Sequence, residues 1–166
     1  MNVLVIVLEA IIYCLLTALI FAGIFKITGP LGQIHNYPPA IYARAKELGL
    51  VDEKKVRKTE LICKSIGLVV LLAIPLFIII KINGVRTFLP AFLQFYIFWT
   101  AWSWFDALIF DCLWFCHSKK WIIPGTEDMV SDYHDYWFHI KYAVYGLGIY
   151  LIPAAVFGGL IALIAR

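Results

Sequence analysis

Acidic and histidine side chains cluster in residues 99–139, where an apolar segment runs into a charged loop. The cluster consists of Asp106, Asp111, His117, Glu127, Asp128, Asp132, His134, Asp135 and His139. Carboxylates are costly in hydrocarbon, and within membrane segments they usually mark an ion or substrate site. Residues of these types can do general-base chemistry through a histidine tuned by a carboxylate, or bind a metal through mixed nitrogen and oxygen ligands.

Helical geometry divides the first part of this cluster. At 100° per residue, Asp106 and Asp111 differ by about 140° around an α-helix, so they are not expected to form a carboxylate pair. His117 returns to the face of Asp106 three turns later. The sequence therefore predicts a polar face carrying Asp106 and His117, with Asp111 turned away from it.

The second part of the cluster is expected on a helix that begins near Asp132 and continues into the last apolar segment. Asp132, Asp135, Tyr136 and His139 share one face of that helix, and His134 points elsewhere. Asp135 and His139, four residues apart, can form a hydrogen bond. Before them, Thr126 is predicted to cap a helix whose first turn holds Glu127 and Asp128.

Two candidate sites follow from these faces. The catalytic set is Asp106, His117, Asp135 and His139, with His139 as a general base. The metal set is Asp132, Asp135 and His139, which would suit a divalent ion such as zinc, iron or manganese, its identity left open. An alternative remains, in which the aspartates and histidines only anchor the loop and the last helix.

Composition predicts a membrane protein. The 166 residues are 63% hydrophobic and 15% charged, whereas soluble domains are roughly half apolar and a quarter charged. The length suits a single membrane domain, residues 1–166. The net charge of +3 is concentrated in one loop, which fits a membrane surface better than nucleic acid.

A spanning helix needs about 20 apolar residues, and four segments of this chain reach that length. They are residues 2–25, 61–82, 88–116 and 140–165. The first has no basic residue before its apolar core and no small-residue cleavage pattern, so it is expected to stay as a span and not to be a signal peptide. The predicted fold is an all-α integral membrane protein, a four-helix transmembrane bundle with short amphipathic helices in its loops.

Basic residues predict the orientation. Most of the Lys and Arg side chains fall in residues 26–60 and 117–139, so the positive-inside rule places both loops in the cytoplasm and both termini outside. The first loop is expected to hold a short amphipathic helix after Pro39 and a helix capped by Asp52. The basic run Lys54, Lys55, Arg57 and Lys58 predicts either contact with anionic lipid headgroups or an ordinary topology anchor.

The runs FDALIFDCLWFC, WIIPGTEDM and YHDYWFHIK together resemble a block found in uncharacterised bacterial multi-pass membrane proteins. The PGTE turn followed by the Tyr-x-x-Tyr-x-Phe-His run is the most distinctive part of this block. The resemblance covers about a quarter of the chain and implies a bacterial inner-membrane location. That family has no assigned activity, so the resemblance implies no functional residues.

The sequence leaves three functions open. The first is a membrane-embedded enzyme or binding protein for a lipid-like ligand, with its site at the cytoplasmic interface between the third and fourth spans. The second is a proton- or cation-coupled transport component that uses Asp106 and Glu9. The third is an accessory or scaffold subunit, and the small-residue face of Ala155 and Gly159 could pair it with a second copy.

Overall fold

The computed structural model describes residues 2–164, and that part of the chain is helical, without β-strands. Seven α-helices follow one another along it. They are α1 (Val3–Gly32), α2 (Pro39–Glu47), α3 (Glu53–Phe77), α4 (Phe88–Phe105), α5 (Val130–Tyr133), α6 (Tyr136–Ile149) and α7 (Leu151–Ile164). Two π-helical segments, Ile78–Ile82 and Asp106–Phe115, continue α3 and α4.

Two helices are long and apolar enough to cross a membrane: Val3–Gly32 and Glu53–Ile82. A third candidate is the pair Val130–Ile149 and Leu151–Ile164, which is bent by 42° and counts if it forms one span. The aromatic segment 88–115 is not among these candidates, because Trp, Tyr, Ser and Gln lower its mean hydropathy. Length and composition thus support two or three membrane helices.

Helix α1 is longer than the first predicted span, which ended at residue 25. Asn2 caps it by accepting a hydrogen bond from the backbone N–H of Leu4 at 3.0 Å. The helix bends at Gly29, whose φ of +67° is accessible to glycine without strain, and Pro30 follows. The bend carries the chain towards the loop that the sequence places at the membrane surface.

Helix α3 begins as predicted, since the Asp52 side chain accepts hydrogen bonds from the backbone N–H groups of Lys54 and Lys55. Further along, Pro75 has no N–H to donate to the carbonyl of Leu71, four residues earlier. The indole Nε1–H of Trp99 on α4 donates to that carbonyl at 2.7 Å instead. An aromatic side chain thus satisfies the polar group that proline leaves free inside an apolar bundle.

The last predicted span is two helices. Tyr150 separates α6 from α7, and Gly146, Gly148 and Pro153 all lie within four residues of it. Helix α7 packs closely on α4: a Cβ on Gly158 would lie only 3.1 Å from the backbone nitrogen of Phe92. Ala154 on the same face is fully buried.

The neighbouring small residues of α7 face away from this contact. Ala155 is exposed, and a Cβ on Gly159 would meet no atom within 4 Å. The Ala154 and Gly158 face is therefore used inside the chain. The Ala155 and Gly159 face is open on this protomer, and pairing through it stays a prediction.

The loop between α1 and α3 packs against the loop between the segment Asp106–Phe115 and α6. The two loops share an apolar core that is separate from the core of the helix bundle. It contains Ile34, Tyr37, Ile41, Ala45, Val56, Ile123 and Tyr133. Ile41 and Ala45 belong to the predicted amphipathic helix α2, and both are fully buried. The apolar face of this helix is therefore covered by the other loop. The basic run at the start of α3 is exposed except for its Val56.

The prediction of a helix start at Thr126 is wrong. Residues 127–128 form a turn, and the Glu127 carboxylate accepts from the backbone N–H of Gly125 at 2.8 Å. Thr126 is fully buried, and its hydroxyl donates to the carbonyl of Ile123 at 2.8 Å. Because this hydroxyl lies within the loop core and bonds a preceding carbonyl, it caps no helix.

Candidate functional site

A cavity of about 620 Å³ opens among α1, α3, α6 and the π-helical segment Asp106–Phe115. This volume is in the range of small-molecule sites, about 300–1,000 Å³. Along α3 its lining runs from Glu60 to Leu71, which is about 16 Å at 1.5 Å per residue. One end is polar and close to the loops, and the other is lined largely by aromatic and aliphatic side chains of the helix bundle.

Asp106 and Asp111 both line this cavity, which corrects the prediction that they lie on different faces. The prediction assumed α-helical geometry. In a π-helix the hydrogen bonds join residues i and i+5, so residues five apart come nearly above one another. The π-helical segment that begins at Asp106 therefore brings both carboxyl groups to one wall.

Asp111 pairs with His139 of α6. His139 Nδ1 lies 3.1 Å from Asp111 Oδ2, and the histidine side chain is only 4% exposed. An ionised carboxylate only accepts hydrogen bonds, so Nδ1 carries the proton in this pair. In neutral His139 the other ring nitrogen, Nε2, then holds a lone pair. Nε2 is buried and has no hydrogen-bond partner in residues 2–164.

The predicted hydrogen bond between Asp135 and His139 is absent from the described structure. The predicted continuous helix breaks at His134, and α6 starts at Tyr136. Asp135 is exposed and caps α6 by accepting from the backbone N–H of Phe138 at 3.0 Å. The capping role turns this carboxylate away from the histidine ring, so Asp111 takes the place predicted for Asp135.

His117 does not lie with Asp106 as predicted. The π-helical segment Asp106–Phe115 has more residues per turn than an α-helix, so the residues that follow it point in other directions than an α-helix would give. His117 is exposed and its Nε2 lies 3.1 Å from the Tyr136 hydroxyl. His134, predicted to point elsewhere, lies beside it, with ring centroids 4.8 Å apart and ring planes tilted by 40°. This surface group is separate from the cavity lining.

The predicted metal set is not assembled. Within residues 2–164 no group of three or more His, Cys, Asp or Glu side chains is arranged to hold a metal ion. Asp135 is a helix cap and His139 pairs with Asp111, while Asp132 belongs to the short helix α5. The break between α5 and α6 separates the three side chains that one continuous helix would have aligned.

The polar end of the cavity contains a second histidine and carboxylate pair, which the sequence analysis missed. His35 Nδ1 lies 2.8 Å from Glu60 Oε2, and the Lys64 ammonium also pairs with Glu60. His35 follows α1 and the other two residues belong to α3. Since 25 residues separate His35 from Glu60, no local spacing pattern could have indicated the pair.

Ser103 and Tyr150 lie on the deeper wall and were also missed. The Tyr150 hydroxyl donates to Ser103 Oγ at 3.2 Å, joining the bend between α6 and α7 to α4. Ser103 lies one turn before Asp106. The pairing of Ser103 with Tyr150 depends on how α6 returns across the bundle.

Glu9 is not a partner of Asp106. Its carboxylate accepts a hydrogen bond from the Asn83 amide at 2.9 Å, and the same amide donates to Gln94 at 2.8 Å. Asn83 lies in the hairpin between α3 and α4, at the opposite end of the bundle from the loop core. Glu9 therefore serves a separate polar contact that closes the hairpin end.

The pairing of His139 with Asp111 makes a spectroscopic prediction. At a pH where His139 is neutral, ¹⁵N NMR should show a protonated Nδ1 and an unprotonated Nε2, because Asp111 accepts only from Nδ1. Asp111→Ala should remove this tautomer preference, whereas Asp132→Ala should keep it. A protonated Nε2 in the unmodified protein would contradict the assigned pair.

Comparisons with known proteins yielded no match for this chain, whether with protein-family models, curated proteins or solved structures.

Proposed function

We propose that this protein crosses the membrane four times and binds a lipid-like amphiphile in the cavity between α3 and α6. The observation that carries the proposal is the cavity itself, since its polar end lies beside the loops and its deep end is apolar and aromatic. An amphiphile has the same division, with a headgroup that needs polar partners and a chain that does not.

The four-span arrangement accounts for the aromatic segment as well as the three apolar candidates. Residues 88–115 are as long as a span and pack against α1 and α7, with Phe95 and Phe98 fully buried. The basic loops then lie in the cytoplasm and both termini outside. The exposed run Lys54, Lys55, Arg57 and Lys58 would contact anionic headgroups there. A bacterial inner membrane is the location that the resemblance suggests.

The headgroup in this proposal meets the pair of Asp111 and His139. Asp111 orients the imidazole, and the unpartnered Nε2 accepts a hydrogen bond or a proton from a headgroup hydroxyl or amine. Asp106 offers a second carboxyl group on the same wall. These groups suffice for recognition, and an enzymatic step at this site would use His139 as the base.

The side entrance to the cavity is the gap between α3 and α6. Leu68 of α3 and Tyr142 of α6 both line the cavity and are 53% and 58% exposed on the outside of the bundle. A ligand dissolved in the bilayer can therefore enter between these helices without passing through water. A ligand that enters by this route needs no pore across the whole bundle.

Filling the cavity should abolish amphiphile binding. Ser103→Trp places an indole in the middle of the cavity lining, and Val69→Trp is the control because Val69 is 64% exposed and outside the lining. Native mass spectrometry of protein released from nanodiscs should show one retained lipid on the unmodified protein and on Val69→Trp, but none on Ser103→Trp. Equal lipid retention by all three would reject the cavity as the binding site, and retention by none would favour a scaffold function.

A further inference from the structure

Within residues 2–164, two of the three carboxyl groups that line the cavity have a basic partner, and the third has none. Glu60 pairs with His35 and Lys64, and Asp111 pairs with His139. Asp106 also lines the cavity, and among the described residues its carboxyl group has no hydrogen bond or salt bridge. A carboxyl group in this position lacks the partner that buried charges normally have.

His139 of α6 also lines the cavity and provides an independent indication of a ligand. Its side chain is 4% exposed, and within residues 2–164 Nε2 is buried without a hydrogen-bond partner. A buried nitrogen of this kind costs free energy unless something donates a hydrogen bond to it. A ligand that donates to Nε2 and neutralises Asp106 would satisfy both groups at once.

Aromatic rings complete the chemical character of the wall. Phe25, Trp102 and Tyr150 line the cavity. Phe138 and Tyr142 line it too, and the Lys141 ammonium already lies over their rings, 4.6 Å and 5.1 Å from the centroids. The face of an aromatic ring attracts cations through its quadrupole, and the attraction is strongest for Trp and when water is excluded. Among the described lining residues the only lysine is Lys64, which is already paired with Glu60 at the entrance and is 70% exposed.

We infer that the cavity selects an amphiphile whose headgroup carries a positively charged amine. The ammonium would pair with Asp106, donate to His139 Nε2 and lie against the aromatic wall. An anionic headgroup would meet two carboxyl groups, Asp106 and Asp111, with no free cation beside them in the described lining. This inference rests on the proposed function, because it names the class of ligand that the proposed cavity takes.

The test compares three probes with the same chain: hexadecylamine, hexadecanol and hexadecyl phosphate. Each is added at equal concentration to the full-length protein in phosphatidylcholine nanodiscs, and native mass spectrometry measures the fraction of protein that retains it. We expect the amine to be retained at least about tenfold more than the alcohol, as is usual for a desolvated charge pair. The phosphate should be retained least of the three.

The variant Asp106→Asn keeps the shape of the side chain and removes its charge. It should bring amine retention down to the level of the alcohol while leaving retention of the alcohol unchanged. Glu9→Gln is the control, because it removes a carboxylate outside the cavity, and it should keep the amine preference. Thermal unfolding of each variant shows whether the protein remains folded, and the probe series on the unmodified protein does not depend on any variant.

The outcomes separate this inference from the proposed function. Equal retention of amine and alcohol, preference for the phosphate, or an amine preference that survives in Asp106→Asn would each overturn the cationic selectivity and leave an amphiphile site standing. If none of the three probes is retained and Ser103→Trp loses no lipid, the proposed function fails with it.

Discussion

Gly158→Val should destabilise the protein by roughly 2–3 kcal/mol, the upper part of the usual range for inserting volume into a packed contact. A Cβ at this position would lie 3.1 Å from the Phe92 backbone nitrogen and 3.2 Å from the Phe92 Cα. Backbone atoms cannot rotate away as the end of a side chain can. Valine adds two methyl groups whose rotamer is restricted in a helix, so α7 would have to move off α4.

The neighbouring glycine supplies a matched control. Gly159→Val makes the same chemical change one residue later in α7, where a Cβ meets nothing within 4 Å. Thermal unfolding in detergent, followed by circular dichroism, should show a lower Tm for Gly158→Val and little change for Gly159→Val. An equal decrease in Tm for the two variants would mean that α7 does not pack on α4 through Gly158.

The Gly159→Val variant also tests whether two copies pair through the Ala155 and Gly159 face. If they do, this variant should change the oligomeric state.

Tyr133→Phe should cost about 1–3 kcal/mol, because it leaves a buried backbone donor without an acceptor. The Tyr133 hydroxyl accepts from the backbone N–H of Ile123 at 2.9 Å and bonds Thr126 Oγ1 at 2.7 Å. The Thr126 hydroxyl donates to the Ile123 carbonyl, so Tyr133 is the donor in its bond to Thr126. All three residues are nearly or fully buried in the loop core.

Tyr136→Phe is the control for this prediction. Its hydroxyl bonds His117 at the surface, where substitutions usually change stability by less than about 0.5 kcal/mol. Limited proteolysis should cut Tyr133→Phe faster than the unmodified protein within residues 117–139, and the Tm should fall. Unchanged proteolysis and Tm would show that the loops are not held together by this hydrogen-bond network.

The loop core around Tyr133 also supports the entrance to the cavity. Tyr37 packs on Tyr133 and donates to the carbonyl of Trp121 at 2.8 Å. Burial, with a smaller contribution from Tyr133, raises the pKa of Tyr37, so its hydroxyl stays a donor at physiological pH. His35, only two residues before Tyr37, lines the cavity entrance. The loop core therefore holds one side of that entrance in place.

The fate of Asp111 shows how local geometry limited what could be predicted. Its position five residues after Asp106 is plain in the sequence, and an α-helix would have separated the two by about 140°. The chain adopts a π-helix over this segment, and no residue pattern in it indicates that choice. Apolar length predicted the helix correctly, but the identity of the residues facing the cavity depended on its hydrogen-bond register.

Residues 99–139 contain three of the groups on which the site depends, Asp106, Asp111 and His139. Their types alone predicted a carboxylate and histidine site beside the membrane surface, because such residues are rare in apolar segments. The sequence also determined the all-helical class, the long apolar helices and the Asp52 cap, since each depends on residues close together in the chain. Which carboxylate meets His139, how the two loops pack and where Glu60 and His35 meet were decided by the tertiary structure. These contacts join residues 25 or more positions apart, and only the packing of the helices brings such residues together.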